Sequence, residues 1–195
     1  MQLTARFTEA LTFAAMLHGD QCRKGTGIPY LSHLLAVAAA VLENGGSEDE
    51  AVAALLHDSV EDRADRFGGS ANLLATIQGR FGERVAEIVK GCSDSETIPK
   101  PPWRERKERY LAHLAEADRS VLLVSAADKL HNARRILTDY RQLGEALWPR
   151  FNAPGRDILW YYASLVEAYR GSPLSPSLLV EELAEVVTDL ARRMA

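Results

Sequence analysis

From Ala54 to Asp62 the chain reads ALLHDSVED, an apolar run that ends in an imidazole and three carboxylates. On a helix at 100° per residue, His57 and Glu61 stand four apart, Asp58 and Glu61 three, and Asp58 and Asp62 four. Such spacing puts all four side chains on one side of the helix, within reach of a common centre. Carboxylates gathered at the end of a buried helix repel one another and resist desolvation unless a cation offsets them. The matching chemistry is a divalent metal with acid–base groups beside it. An isolated His-Asp pair is more often a solvated helix end, so the stretch needs partners elsewhere.

Two other places supply them. PYLSHLLAV puts His33 at the start of a helix, and VLLVSAADKLHNARRIL puts Asp128 at the end of an apolar run with polar side chains following. A lone histidine at a helix start is more often a cap or a core residue. Together, however, His33, His57, Asp58 and Asp128 make two imidazoles and two carboxylates. That set suits six-coordinate Mn²⁺ or Fe²⁺, with Zn²⁺ as a possible substitute. His18 and His131 are rival ligands, ranked here as structural or supporting residues; His131, three positions after Asp128, is the stronger rival.

The elements that must position these residues are helices. Apolar residues recur with helical spacing over 4–18, 32–43, 48–59, 71–78, 83–90, 103–117, 120–137, 157–169 and 177–194. NGGS at 44–47 and FGGS at 67–70 each stop one helix and cap the next. TIPKPPW at 97–103 reads as an extended linker, because each proline biases its predecessor away from helix. No segment alternates cleanly enough for a strand, and there is no internal repeat. The expectation is an all-α, single-domain irregular helical bundle of about 8–10 helices, with residues 1–172 as the main domain and 173–195 as a helix packed on it.

At 195 residues the chain can bury a real core. A net charge of -4 argues against a nucleic-acid or anionic-membrane surface. No apolar run is long enough to span a bilayer. The segment around LTFAAML contains Glu9 and lacks a cleavage pattern, so it reads as a helix rather than a signal peptide. Cys22 and Cys92 lie far apart, which suggests a reducing compartment. The expected location is the cytoplasm.

With HGDQCRKGTGIPYLSH, ALLHDSVED, FGERVAEIVKGCSD, ERKERYL and SAADKLHNARRIL in this order, the chain resembles the HD superfamily of metal-dependent phosphohydrolases. The likeness is closest to the hydrolase domain of the RelA/SpoT alarmone enzymes and their single-domain relatives, the small alarmone hydrolases. It covers most of residues 5–140 and extends to about Tyr162. The resemblance implies an HD-type helical fold and an Mn²⁺-dependent hydrolase that removes the 3′-pyrophosphate from ppGpp or pppGpp, giving GDP or GTP and pyrophosphate. By the same likeness His33, His57, Asp58 and Asp128 hold one metal ion, while Glu61 and Asp62 match the catalytic acidic pair. Their placement one turn beyond the ligands suits orienting and deprotonating the attacking water. Spacing does not say which takes the proton. The pattern departs at Leu34, where relatives usually have proline, and the chain length leaves no expectation of a synthetase domain.

A bis-pyrophosphate substrate needs cations that a protein of net charge -4 must concentrate locally. Arg23 and Lys24, ahead of two glycines in CRKGTG, read by themselves as an ordinary basic turn. Their place ten residues before His33, as in the family, makes them phosphate-binding candidates. Lys129 and Asn132, one and four positions after Asp128, match nucleotide-contacting residues of the family. Arg135, one turn further, reads equally as a nucleotide contact or as the i,i+4 partner of Asp139, and is left out of the site. Tyr161 and Tyr162 read as core or as base contacts, and WRERKER at 103–109 as a solvated face or a distal phosphate guard. The expected partner is a small nucleotide, with no nucleic acid, no membrane and no oligomeric state specified. Two further readings share these residues. One is the same machinery acting on an adenine alarmone or NADPH; the other is a non-catalytic nucleotide sensor, which the Glu61-Asp62 pair argues against.

Overall fold

A computed structural model describes residues 2–94 and 101–195. Among them are ten α-helices and no strand, only an isolated bridge between Cys22 and Pro29. The helices are α1 (Ala5–His18), α2 (Leu31–Glu43), α3 (Glu48–Leu56), α4 (Ser59–Arg63), α5 (Ser70–Phe81), α6 (Glu83–Cys92), α7 (Trp103–Leu114), α8 (Arg119–Leu143), α9 (Gly155–Arg170) and α10 (Ser177–Met194). Two 3₁₀ turns, Ala64–Phe67 and Gly144–Arg150, link α4 to α5 and α8 to α9. Of the expected extended linker, residues 97–100 lie outside the described residues; Pro102 is extended, at φ -49° and ψ 142°.

The helix boundaries have local causes. Gly45 takes φ +75°, which ends α2, and Ser47 and Glu50 form a reciprocal capping box at the start of α3. At the second glycine pair, Gly68 at φ +75° closes the 3₁₀ turn. Gly69 then occupies the cap position, and Ser70 is the first residue of α5 rather than its cap. Asp118 caps α8 by accepting from the backbone N–H groups of Ser120 and Val121.

Helix α3 is the centre of the core. Every residue from Ala51 to Leu56 is fully buried, and the helix packs against α1, α2, α6 and α8. Helix α8, with 25 residues, runs about 37 Å at 1.5 Å per residue. It forms a spine that also carries α2, α6, α9 and α10. The C-terminal helix buries Leu179, Val180, Leu183, Val187 and Leu190 against α8 and α9. No helix among the described residues is long and apolar enough to cross a membrane.

Several boundaries differ from the periodicity: α5 runs on to Phe81, α6 to Cys92, and α7 stops at Leu114, but the ends of α3 and α8 matter most. The helix expected over 48–59 breaks: α3 ends at Leu56, and Asp58 sits at φ -91°, ψ -3°, in the bridge region between helix and turn. At this break the His57 imidazole engages the Ala54 carbonyl oxygen at 2.8 Å. Helix α8 continues to Leu143 instead of Leu137 and stops where Gly144 takes φ +54°.

Candidate metal centre and nucleotide cleft

Three parts of the fold bring four predicted residues together. His33 comes from the first turn of α2, His57 and Asp58 from the α3–α4 junction, and Asp128 from α8. Each offers one nitrogen or oxygen, and the four atoms lie within 4.8 Å of one another. His33 Nε2 stands 3.4 Å from Asp58 Oδ2 and 3.2 Å from Asp128 Oδ1. His57 Nε2 stands 3.1 Å and 3.6 Å from the same oxygens. These are ion-pair distances, and none of them is a hydrogen bond. Both Nε2 atoms are buried without a hydrogen-bond partner, a condition that costs about 1–3 kcal/mol per group unless something else satisfies it.

The far side of each ring explains what that something is. His57 Nδ1 donates to Ala54 O, so in the neutral ring Nε2 is left with the lone pair. His33 Nδ1 meets His131 Nδ1 at 2.8 Å. Burial, with His33 and Arg23 nearby, presses His131 down to about 4, so its ring is neutral and one of the two Nδ1 atoms donates to the other. Both Nε2 atoms face two carboxylate oxygens. Burial alone would depress the His57 imidazole, but Asp58 and Asp128 hold it well above its ordinary value. The pocket demands positive charge. Two imidazole nitrogens and two carboxylate oxygens fit a divalent transition metal.

A second layer fixes the carboxylates. Tyr30 donates its hydroxyl to Asp58 Oδ2 at 2.5 Å. Asn132 donates to Asp128 Oδ1, and Lys129 Nζ to Asp128 Oδ2 at 2.5 Å. Lys129, expected to touch substrate, has its ammonium on Asp128 and 5.1 Å from the centre of the Tyr110 ring. Burial would lower this lysine, yet Asp128 holds it well above its usual range.

Beside the centre lies a cleft of about 280 Å³. Arg23 and Lys24 line it together with Tyr30, Asn132, Arg135 and Phe151. The basic loop is tight because Thr26 N–H donates to Arg23 O at 2.9 Å and Gly25 takes φ +70°, as a type II turn requires. Arg150 lies across that glycine, where a Cβ would come 2.7 Å from its Cδ. Arg23 Nη2 donates to Asn132 Oδ1 at 2.8 Å, which joins the loop to Asp128 through one side chain. Arg135 pairs with Asp139 as its spacing indicates, and still lines the cleft. Tyr162 is on the cleft wall, whereas Tyr161 is packed edge-on against Trp103.

Glu61 and Asp62 stand on α4, one turn past the ligands; Glu61 is half-buried and Asp62 exposed. Asp62 Oδ2 accepts from Gln21 Nε2 at 2.8 Å. His18 is buried, but it is not one of the four converging residues. The charged run 103–109 is only partly a solvated face. Arg106 and Lys107 turn inward onto Asp94, with Arg106 Nη1 at 2.7 and 2.6 Å from its two oxygens and Lys107 Nζ at 2.5 Å. Burial would raise the Asp94 carboxyl, but these two cations hold it at about 2. Sequence reasoning missed Tyr30, Gln21, Arg150 and Asn152, which accepts from Lys24 Nζ at 3.1 Å. Only Tyr30, three residues before His33, carried a local signal.

The family model for the HD domain matches residues 10–151. The chain is 40% identical over 133 residues to guanosine-3′,5′-bis(diphosphate) 3′-pyrophosphohydrolase MESH1 of Xenopus tropicalis, covering 67% of this chain and 69% of that protein. It is 32% identical over 137 residues to the bifunctional (p)ppGpp synthase/hydrolase SpoT of Escherichia coli, covering 67% of this chain and 18% of that longer protein. In fold it is similar to the solved structure of a metazoan SpoT ortholog, with a TM-score of 0.74 at 24% identity over 100% of this chain and 99% of that one. The chain therefore belongs to the HD-domain family, in the group that holds MESH1 and the SpoT-type hydrolases.

Proposed function

We propose that this protein is an Mn²⁺-dependent hydrolase that removes the 3′-pyrophosphate from guanosine 3′,5′-bis(pyrophosphate) and its 5′-triphosphate form. The carrying observation is the pair of buried, partnerless His Nε2 atoms facing two carboxylate oxygens beside a cation-lined cleft. Similarity to proteins named for this reaction supports the substrate. His33, His57, Asp58 and Asp128 would hold the ion, with Fe²⁺ or Zn²⁺ as substitutes. Once bound, it supplies Lewis-acid charge to the phosphoryl oxygens and lowers the pKa of a water.

The remaining work falls to the chain. Glu61 and Asp62 orient the attacking water and take its proton as its oxygen bonds to the phosphorus of the 3′ ester. The ribose 3′ oxygen leaves with a proton, and the products are GDP or GTP and pyrophosphate. The two carboxylates share this task as a coupled pair. Arg23 and Lys24 grip the pyrophosphate, and Asn132, bonded to both Arg23 and Asp128, holds grip and centre in register. Lys129 braces Asp128 by donating to its Oδ2. We assign the hydrolase unit to residues 1–172, with 173–195 as a helix packed on it, and its site of action to the cytoplasm.

A second substrate reading has its own support. The cleft wall of Tyr30, Ile136, Phe151 and Tyr162 offers flat apolar surface on which any purine can stack. An adenine alarmone or NADPH would meet the same metal and cations. The test is a panel of ppGpp, pppGpp, the adenine analogue and NADPH incubated with Mn²⁺, the products resolved by chromatography. Fastest turnover of the guanine nucleotides to pyrophosphate supports the first reading. Turnover of adenine substrates alone transfers the assignment to the second, and no turnover of any removes both.

A further inference from the structure

His18 ends α1, buried to 1% exposure, and contacts none of the four ligand atoms through a hydrogen bond. Its Nδ1 lies 2.6 Å from Gln21 Oε1. An amide oxygen only accepts, so Nδ1 carries the hydrogen and Nε2 the lone pair. That lone pair faces the buried Ser59 hydroxyl, 3.4 Å away at the start of α4. With Oε1 held in this way, the amide nitrogen of Gln21 points at Asp62 Oδ2, 2.8 Å away. Ser59 therefore donates to His18, His18 to Gln21, and Gln21 to Asp62, each link oriented in one direction.

We propose that His18 and Gln21 are positioning residues that hold the Asp62 carboxylate in its reactive orientation; this rests on the assignment of Asp62 above. Asp62 is exposed on a helix of five residues, so its side chain has rotamers to choose among. A donor anchored in the core selects one of them. The same glutamine closes the basic loop, since Tyr30 N–H donates to Gln21 O at 2.8 Å and Gln21 N–H to His18 O at 2.9 Å. The His18 ring also stacks on Tyr30, with centroids 5.4 Å apart and planes at 22°. Asp20, in the same loop, binds Arg63 at 2.9 Å and Arg66 at 2.5 Å, which ties α4 and the turn after it to that loop. The Asp62 carboxylate and the phosphate grip thus share one frame.

Misplacing a reacting group by about 1 Å can cost roughly 10²-fold in rate. Gln21→Met keeps the side-chain length and deletes the donor. His18→Leu removes the link to Gln21, whereas His18→Asn retains an N–H at the position of Nδ1. We expect Gln21→Met and His18→Leu to lower kcat for ppGpp by about 10–100-fold, with KM and bound Mn²⁺ close to wild type and with His18→Asn recovering most of the loss. Adding Gln21→Met to Asp62→Asn should change kcat little further, because both act through one carboxylate. Wild-type kcat in Gln21→Met, or equal losses in His18→Asn and His18→Leu, would overturn the relay. So would a change confined to KM, which would mark Gln21 as a loop residue only. Failure of the wild type to hydrolyse ppGpp would instead remove the proposed function, a different outcome from an active wild type with an indifferent Gln21→Met.

Discussion

Arg23→Ala should cost far more activity than Lys24→Ala, although the two residues are neighbours in one turn. Arg23 is half-buried, with its guanidinium bonded to Asn132 Oδ1 at 2.8 Å and its centre 5.7 Å from the middle of the Tyr30 ring. It is held before substrate arrives. Lys24 is exposed and donates to Asn152 Oδ1 at 3.1 Å. A hydrogen bond to a charged group is worth about 1.5–3 kcal/mol, or roughly 10–150-fold in kcat/KM for Arg23 at about 1.4 kcal/mol per decade. An exposed ion pair is worth about 0.2–1 kcal/mol, so Lys24→Ala should lose only a few-fold, and that loss should shrink further in high salt. Steady-state kcat/KM for ppGpp, measured beside the inhibition constant of GDP, separates the contributions. GDP lacks the 3′-pyrophosphate, so its binding should change much less than ppGpp turnover does. Bound metal should stay constant in both variants, since neither residue is among the four converging side chains. A larger loss in Lys24→Ala, a wild-type rate in Arg23→Ala, or parallel loss of GDP binding would refute the grip.

Other perturbations probe the remaining parts. Glu61→Gln and Asp62→Asn should each lower kcat by about 10²–10⁴-fold while metal content and nucleotide binding persist; near-normal rates in both would take the proton transfer away from them. Tyr30→Phe keeps the ring beside His18 but deletes the donor to Asp58. Its Mn²⁺ affinity, read by competition with a chelating dye, should fall about 10–100-fold, and an unchanged affinity would count against that role. Asp94 is held at about 2 with its side chain only 5% exposed. Since its folded-state value is depressed, its stabilisation is full above pH ~4 and is lost as pH falls towards 2, amounting to about 2 kcal/mol at neutrality. Denaturant melts of wild type and Asp94→Asn should therefore differ at pH 7 and converge near pH 2; a constant gap would contradict the pairing.

Much of the helical frame was legible because its signals are local. Period, the Ser47–Glu50 cap and the glycines at positive φ mark ends that the fold respects. The break at His57 and Asp58 carries neither glycine nor proline; what accompanies it is the His57 side chain engaging the Ala54 carbonyl oxygen. Nothing in HDSV shows that. The end of α8 was blurred because the residues from Thr138 to Leu143 are mostly polar and exposed, so the apolar period fades before the helix does. Residue types at the candidate centre were readable, since histidines and aspartates in otherwise apolar segments are costly to bury. Directions were harder. Lys129 turns towards Tyr110 on α7, and Arg106 and Lys107 turn inward because Asp94 is buried beneath them. Both depend on partners more than ten residues away, beyond the reach of helical spacing. Arg150 lies across Gly25 for the same kind of reason.

The most direct measurement follows ppGpp by chromatography after all metal has been stripped from the protein with a chelator and Mn²⁺ has been returned stepwise. Wild type should produce GDP and pyrophosphate in equal amounts, with turnover absent before addition and complete at one Mn²⁺ per chain. Asp128→Ala, lacking one of the four converging oxygens, should neither retain the ion nor recover activity. Turnover that ignores Mn²⁺, orthophosphate in place of pyrophosphate, or an Asp128→Ala variant that binds and hydrolyses like wild type would contradict a metal-dependent 3′-pyrophosphohydrolase built on these residues.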